Sequence, residues 1–414
     1  MFISNKIRQK SSIYFGWYVL VGAGLVQLVS NASGSLGLSM FIVPMRNELN
    51  FSMTLFSGAI SSGSILAAIS AIPIGFLFDL KKTRYVLIFS IILMGIATYA
   101  MSYVNGWISL YILVAITRML FSTPMMIGGS VITAKWFVVE RGKANGILYA
   151  FHSVGMIIFP ILASIFIINF GWRQAWEYLG IIVVLVALVP AILFIYEEPE
   201  SLGIKFSAKP KDDEENNNFS VQDALKTKSL WIISIGTGIL YFFHSGINTH
   251  QAAFLQDRGI SLGLSSLVIS VNAISTGIGS IAWGLICDRV NIKYAFSSVF
   301  ICSMLAIIAL IFTYNIFLAI VASVFFGFAM GGMLTVPSVA YANFFGVNSL
   351  GKIRGVTHPF STAGAAIGVM VSGIIFDIYG SYSLAFWIYF IISIVMFVFS
   401  LFLNKPISKN PQQL

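Results

Sequence analysis

The sequence predicts an all-α membrane protein with twelve transmembrane helices in two pseudo-symmetric six-helix halves. Three observations carry that prediction. The first is composition. Of 414 residues, 58% are hydrophobic and only 9% are charged, against about 25% charged in an average soluble domain. The mean hydropathy is +0.90. The second is patterning. The chain holds many unbroken apolar stretches of about 20 residues, each long enough to cross a hydrocarbon core of roughly 30 Å as a helix. They do not alternate apolar and polar residues, as the strands of a membrane barrel must. The third is an internal repeat, which becomes visible once the spans are placed.

The apolar runs place spans at about 14–42, 52–79, 85–105, 107–136, 143–169, 172–196, 229–255, 262–287, 294–313, 316–345, 353–378 and 382–403. Alternate connections differ sharply in charge. One set holds twenty Lys and Arg, around positions 6–10, 81–84, 135–143, 205–228, 289–293, 352–354 and 405–409; the other holds Arg46, Arg173 and Arg258. By the positive-inside rule both termini are expected in the cytoplasm, the span count is even, and the location is the cell's inner (cytoplasmic) membrane. Lys6, Arg8 and Lys10 lead straight into a full-length span, so no cleavable signal is expected. The net charge of +9 reflects these anchors and points to the lipid surface, not to nucleic acid. Cys287 and Cys302 fall near or inside spans and imply no disulfide framework.

The longest connection, 197–228, is polar, with acidic residues at 212–215 and three Asn after them. It reads as a flexible cytoplasmic linker, too short for a soluble domain with its own core. It separates an N-terminal half, 1–196, from a C-terminal half, 229–414. The halves share landmarks. Gly75, Asp79 and Gly171 recur as Gly284, Asp288 and Gly380 at an offset of 209. Pro124, Arg141, Gly142 and Gly155 recur as Pro337, Arg354, Gly355 and Gly368 at an offset of 213. Two parallel six-helix repeats suit an alternating-access transporter with its substrate site between the halves.

At this point the chain resembles the major facilitator superfamily. After span 2 it reads Gly75-x-x-x-Asp79-Leu80-Lys81-Lys82-Thr83-Arg84, close to that superfamily's G-x-x-x-D-R-x-G-R-R signature and departing from it at Leu80 and Thr83. A second copy is Gly284-x-x-x-Asp288-Arg289. Further motifs resemble its bacterial monocarboxylate and oxalate/formate branch. They are Trp136-Phe137-x-x-x-Arg141-Gly142-x-Ala144-x-Gly146, Gly171-Trp172-Arg173, Pro199-Glu200-x-Leu202-Gly203 and His250-x-x-x-Phe-Leu-x-Asp257-x-Gly259. The resemblance implies the major facilitator fold and a monomer. It also implies a latch at the cytoplasmic end, with Asp79 meeting Arg354 or the start of span 11, and Asp288 meeting Arg141 or the start of span 5. A carboxylate suits a helix N-terminus because the helix dipole favours it there. One departure stands out: where the branch commonly carries a carboxylate-binding Arg in span 8, this chain has Ser280.

Arg118 is the sharpest chemical feature. It lies near the middle of span 4, and none of the fifteen acidic residues lies mid-span. A charge at that depth normally faces a cavity or a partner. The functional reading is a receptor for a substrate carboxylate, which a planar guanidinium can hold bidentately. The bland readings are bonds to backbone carbonyls or snorkelling to the interface. His152 shares a helical face with Asn145 and Tyr149; His358 shares one with Ser361 and Thr362; His244 shares one with Asn248 and Gln251. Each is commonly a satisfied core residue, yet proton coupling needs a group that titrates near neutral pH. Gln27 and Asn31 in span 1, Asn272 and Thr276 in span 8, and Tyr341 in span 10 could line a cavity or merely bond between helices.

These features predict a secondary active transporter of a small organic anion, most simply a monocarboxylate, by proton symport or anion exchange. No cofactor, metal or covalent chemistry is expected, and no phosphate-binding G-x-x-x-x-G-K-[ST] motif occurs. Two rivals remain. An efflux carrier of amphipathic compounds keeps the fold but makes Arg118 dispensable. A non-transporting membrane sensor needs a regulatory domain that the linker is too short to supply.

Overall fold

The structure is a computed structural model that describes residues 14–51, 53–202, 219–260 and 262–406. The predicted anchors at 6–10 and at Lys409, and most of the predicted linker (203–218), lie outside the described residues.

Twelve helical rods follow in order. The first, α1, is bent: Gly16–Ser30, a tight turn at Asn31–Ser33, then Ser35–Leu49. Next come α2 (Met53–Leu77) and α3 (Thr83–Ala100). The fourth, α4, runs from Trp107 to Trp136 through a widened turn at Phe121–Met125. A single helical run, Arg141–Phe194, divides at Gly171 into α5 (141–170) and α6 (172–194). The remainder are α7 (Lys228–Asp257), α8 (Leu262–Arg289), α9 (Ile292–Ile311), α10 (Ile316–Phe345), α11 (Leu350–Tyr379) and α12 (Ser383–Ser400). Among the described residues nine helical runs are long and apolar enough to cross a membrane. Two of the nine each contain two predicted spans, and the bent α1 makes the twelfth rod.

Local chemistry explains the breaks. Gly171 (φ +82°) and Gly380 (φ +64°) separate α5 from α6 and α11 from α12. Only glycine takes that left-handed backbone at low cost. Pro124 sits in the widened turn of α4, where its missing N–H interrupts the helical ladder.

The chain forms two compact units. Unit 1 is Met1–Val138, Phe151–Lys209 and Leu350–Val356; unit 2 is Val139–Ala150, Pro210–Ser349 and Thr357–Leu414. The first turns of α5 therefore belong to unit 2, and the first turns of α11 to unit 1. Glycine makes this possible inside each unit. A Cβ on Gly351 or Gly355 would collide with the carbonyls of Gly75 and Ala71, so α2 and α11 touch backbone to backbone in unit 1. In unit 2 a Cβ on Gly142 or Gly146 would collide with the carbonyls of Gly284 and Ser280.

These contacts correct the repeat register. Gly142 matches Gly351 and Gly146 matches Gly355, an offset of 209 along the whole contact, as for Gly75 and Gly284. The offset of 213 suggested for Arg141, Gly142 and Gly155 is one helical turn too long. A slip of four residues returns a helix to nearly the same face, so a glycine-rich face matches itself in either register. In the corrected register the shared motif is Gly-Lys-x-x-Gly. Arg354 is then the counterpart of Asn145, and His358 that of Tyr149.

The linker prediction also needs correction at its described end. Phe219 is buried, stacks edge-on against Phe345, and its N–H donates to the Phe345 carbonyl. Ser220 then caps a short helix, Val221–Leu225, accepting from the Asp223 N–H at 3.1 Å while its own hydroxyl donates to the Asp223 carboxylate at 2.7 Å. That N-cap fixes a helix start inside what composition alone reads as flexible chain.

Candidate functional site

Unit 1 assembles a string of polar and aromatic groups around Arg118. The guanidinium lies over the Phe121 ring, 5.5 Å from its centroid. Phe121 packs against the His152 imidazole at 5.9 Å. His152 Nδ1 is 2.9 Å from Asn31 Nδ2. Asn31 Nδ2 also donates to the carbonyls of Gln27 and His152, which can only accept, so the atom is the amide nitrogen. Gln27 Nε2 donates to the Met126 carbonyl at 3.2 Å. Gln27, Asn31 and His152 are buried, and Arg118 is half-buried.

Each group is placed by a local feature. Asn31 sits where α1 bends, and Phe121 opens the widened turn three residues after Arg118. Gly63 on α2 leaves room for the Arg118 side chain, which a Cβ there would strike. The arrangement puts a planar guanidinium donor beside an aromatic face and an imidazole, all inside a membrane-spanning bundle.

Unit 2 holds a neutral counterpart on α7, α8 and α10. Asn272 Nδ2 donates to Asn248 Oδ1 (3.3 Å) and Gln251 Oε1 (3.2 Å). Gln251 Nε2 donates to Ser323 Oγ at 2.9 Å, and Thr276 Oγ donates to the Asn272 carbonyl at 2.9 Å. Gln251, Asn272, Thr276 and Ser323 are all buried. His244, one turn before Asn248, stacks on Phe326 at 4.9 Å. Closer to the basic end, Tyr149 bonds with Ser338 (2.6 Å) and Tyr341 with Ser234 (3.0 Å).

Two carboxylates cap helices, one in each unit. Asp79 accepts from the backbone N–H of Gly351 and Lys352 at 2.8 and 2.9 Å, at the start of α11. Asp288 accepts from Gly142 and Lys143 at 2.7 and 2.8 Å, at the start of α5. Of the partners that the family resemblance offered, these bonds use the helix starts. Arg141 Nη1 donates instead to Asn343 Oδ1 at 2.7 Å, and Arg354 is half-buried in unit 1.

Other expectations are redistributed. Asn145, Tyr149 and His152 share a helical face, but Asn145 and Tyr149 belong to unit 2 and His152 to unit 1. His358 is half-buried on α11, its carbonyl accepting from Thr362 at 2.9 Å. Ser280 is wholly buried, donates to the Thr276 carbonyl at 2.8 Å, and is overlain by Gly146 and Gly331, whose Cβ atoms would strike its backbone. At this position, where the branch carries arginine, α5, α8 and α10 meet in close backbone contact.

Sequence reasoning missed two hubs in unit 1. The Glu197 carboxylate accepts from Lys135 Nζ (3.0 Å), Thr83 Oγ (2.6 Å) and the N–H groups of Thr83 and Arg84, capping α3. At the other end Glu48 accepts from Trp172 Nε1 and from Arg173 Nε (3.1 Å) and Nη2 (3.0 Å), while Arg173 Nη1 donates to the Ser102 carbonyl at 2.6 Å. These bonds hold the Glu48 carboxyl below the ordinary carboxylate range, the Trp172 bond first and those of Arg173 after it. The Gly171-Trp172-Arg173 motif served only as a mark of family resemblance, and nothing local in the sequence named its acid.

Two repeated sets of membrane helices, each with a carboxylate cap and a polar interior, define a polytopic membrane protein. The chain belongs to the Major Facilitator Superfamily, whose model matches residues 23–358 and 233–414. Two solved structures share the fold. The human organic anion transporter MFSD10 aligns with TM-score 0.73 and 11% identity over 93% of this chain and 99% of that one. The E. coli fucose:proton symporter FucP aligns with TM-score 0.69 and 14% identity over 94% and 98%. Among sequence relatives, the aspyridones efflux protein apdF of Emericella nidulans is 26% identical over 60% of this chain, and the match spans 49% of that protein's length. The oxalate:formate antiporter of Oxalobacter formigenes is 22% identical over 69% of this chain and 66% of its own. The Bacillus subtilis hexuronate transporter is 22% identical over 83% of this chain and 84% of its own length.

Proposed function

We propose that this chain is a secondary active transporter of a small organic anion, a monocarboxylate in its simplest form. It works by alternating access, with proton symport or anion exchange, and both termini lie in the cytoplasm of an inner-membrane protein. The observation that carries the reading is Arg118. It is a permanent charge in mid-span on α4, set immediately before the Pro124 turn, with Phe121 and His152 beside it. Intramembrane charges are functional by default, and a guanidinium matches a carboxylate with two parallel hydrogen bonds. The similarity to an oxalate:formate antiporter and to a hexuronate transporter supports a carboxylate substrate. Gln27, Asn31, Asn145, Tyr149, His152, His244, Asn248, Asn272, Thr276, Tyr341 and His358 supply neutral contacts. Asp79, Asp288, Arg141 and Arg354 belong to the conformational latch.

The test is uptake of labelled small carboxylates into proteoliposomes, with and without an inward proton gradient, for wild type and Arg118→Gln. Saturable uptake that the substitution abolishes supports the reading, and dependence on the gradient separates symport from exchange. Uptake indifferent to Arg118 refutes it. The similarity to an aspyridones efflux protein favours the second reading, efflux of amphipathic compounds, which predicts that indifference.

A further inference from the structure

Helix α10 ends at Phe345, and the last carbonyl groups of a helix have no partner within it. One of them is served from far along the chain. The Phe219 N–H donates to the Phe345 carbonyl at 3.1 Å, and the two rings pack edge to face with centroids 5.5 Å apart. Both residues are buried. Phe219 is tied in turn to α7. The Ser220-capped helix follows it, and the Trp231 indole N–H donates to the Leu225 carbonyl at 2.8 Å. One turn deeper, Tyr341 on α10 bonds with Ser234 on α7 at 3.0 Å. Unit 1 holds a counterpart. Trp136, at the offset of 209 from Phe345, ends α4, and its carbonyl accepts from the Tyr14 hydroxyl at 2.7 Å, with the rings 6.2 Å apart. In each unit an aromatic residue that precedes the first helix caps the end of the fourth.

The last turn of α10 also carries Asn343, whose Oδ1 accepts from Arg141 Nη1 at 2.7 Å. Arg141 opens α5 and is buried. A cation near a helix C-terminus is favoured by the dipole. We infer that the end of the linker is a conformational strap: by capping α10, Phe219 keeps Asn343 in place to hold Arg141, and so sets how firmly unit 2 retains the start of α5. Nothing in this device depends on the substrate. The first turns of α5 lie in unit 2 and the rest in unit 1, so the strap acts on a helix that both units share. A helix end without its cap frays. Release of Phe219 therefore frees the last turn of α10 first, and the Asn343–Arg141 bond goes with it. Asp288 still caps α5 through the Gly142 and Lys143 N–H groups, so the loosening of α5 is the smaller of the two effects.

The experiment is backbone hydrogen–deuterium exchange of the purified full-length protein in detergent, read by mass spectrometry. Three peptides matter: the end of α10 (341–346), the start of α5 (141–150) and, as the reference, the start of α11 (350–356) in unit 1. Phe219→Ala removes the ring and leaves the backbone. It should speed exchange about tenfold at the end of α10 and about threefold at the start of α5, with the reference within about twofold of wild type. Asn343→Ala cuts the path from α10 to α5. It should speed exchange about threefold at the start of α5 while the end of α10 stays within about twofold of wild type. The melting temperature of each variant reports folding, and Asn343→Ala carries the test if Phe219→Ala does not fold. Faster exchange at α10 with α5 unchanged in Phe219→Ala overturns the inference, because the cap then acts on its own helix alone. Equal acceleration of all three peptides overturns it too, since Phe219 then adds only global stability. Unchanged exchange in a folded Phe219→Ala overturns the strap, and an α5 start indifferent to Asn343→Ala overturns its route.

Discussion

The two units repeat their scaffolding and diverge in their interiors. At the basic end the match is nearly atom for atom. Asp79 caps α11 through Gly351 and Lys352, and Asp288 caps α5 through Gly142 and Lys143. In the interior both units hold an imidazole against a ring, but unit 1 adds a guanidinium where unit 2 adds mutually bonded amides. At the opposite end unit 1 is clamped by the Glu48–Arg173 ion pair. Unit 2 uses Tyr382, which follows Gly380 and lies 3.2 Å from His250 Nδ1. Helix-end capping and glycine contact are generic needs of the fold, so a duplicated chain keeps them. On the proposed reading the Arg118 charge serves a ligand, a need that the scaffold does not share.

Four substitutions probe that contrast. The largest effect is expected from Arg118→Gln, which should lower kcat/KM for carboxylate uptake at least about 100-fold, since a desolvated charge-assisted pair is lost. Asn272→Leu in unit 2 should cost only about tenfold, the range of a neutral hydrogen bond. Equal losses in proteoliposome assays break the distinction between a charged and a neutral interior. Next come the glycine contacts. Gly142→Ala and Gly351→Ala each force a methyl against a backbone carbonyl and should each destabilise by about 1–3 kcal/mol, read as lower melting temperatures. A large effect of only one breaks the equivalence of the two contacts.

Asp79→Asn and Asp288→Asn should each cost about 1 kcal/mol, because the charge at a helix N-terminus is lost while the shape is kept. If the caps form the latch, Asp79→Asn also changes cysteine accessibility from the two membrane faces, and unchanged accessibility removes the latch. The smallest effect concerns pH. The Glu48 carboxyl is depressed in the folded protein, so its contribution is fully present above the usual Glu value of about 4.3 and is lost as pH falls through the lower folded value. Trp172 emission should therefore change in acid, and Glu48→Gln should abolish the change. A transition that survives the substitution assigns it to another group.

Much of this was legible without coordinates, for reasons that differ by residue. Long apolar runs admit few alternatives, because lipid leaves no partner for an unpaired backbone. The break at Gly171 fell between two predicted spans, and the family resemblance pointed Asp79 to Arg354 or the start of span 11. Arg118 stood out because charge is rare at that depth. The register of the repeat was not legible, since a helical face repeats itself every turn and the glycines of α11 recur at that spacing. The Glu197 hub and the Glu48 clamp were not legible either, as each joins residues more than fifty positions apart. The order at Phe219–Leu225 was available in principle from the Ser220-x-x-Asp223 spacing, but the polar composition around it pointed the other way.

The sequence by itself determined that this chain is a membrane-spanning helical repeat, where its breaks fall, and which side chains are too costly to be there by accident. Those properties follow from the solvent and the peptide bond, and they act locally. The tertiary structure alone decided which residues meet. It set the repeat offset at 209, sent the Asp79 and Asp288 carboxylates to backbone N–H groups, and buried Ser280 at the span-8 position. It also brought Phe219 onto the end of α10. Pairings of that kind depend on how helices cross, and crossing is governed by glycines and side-chain volumes on partners far away in the chain.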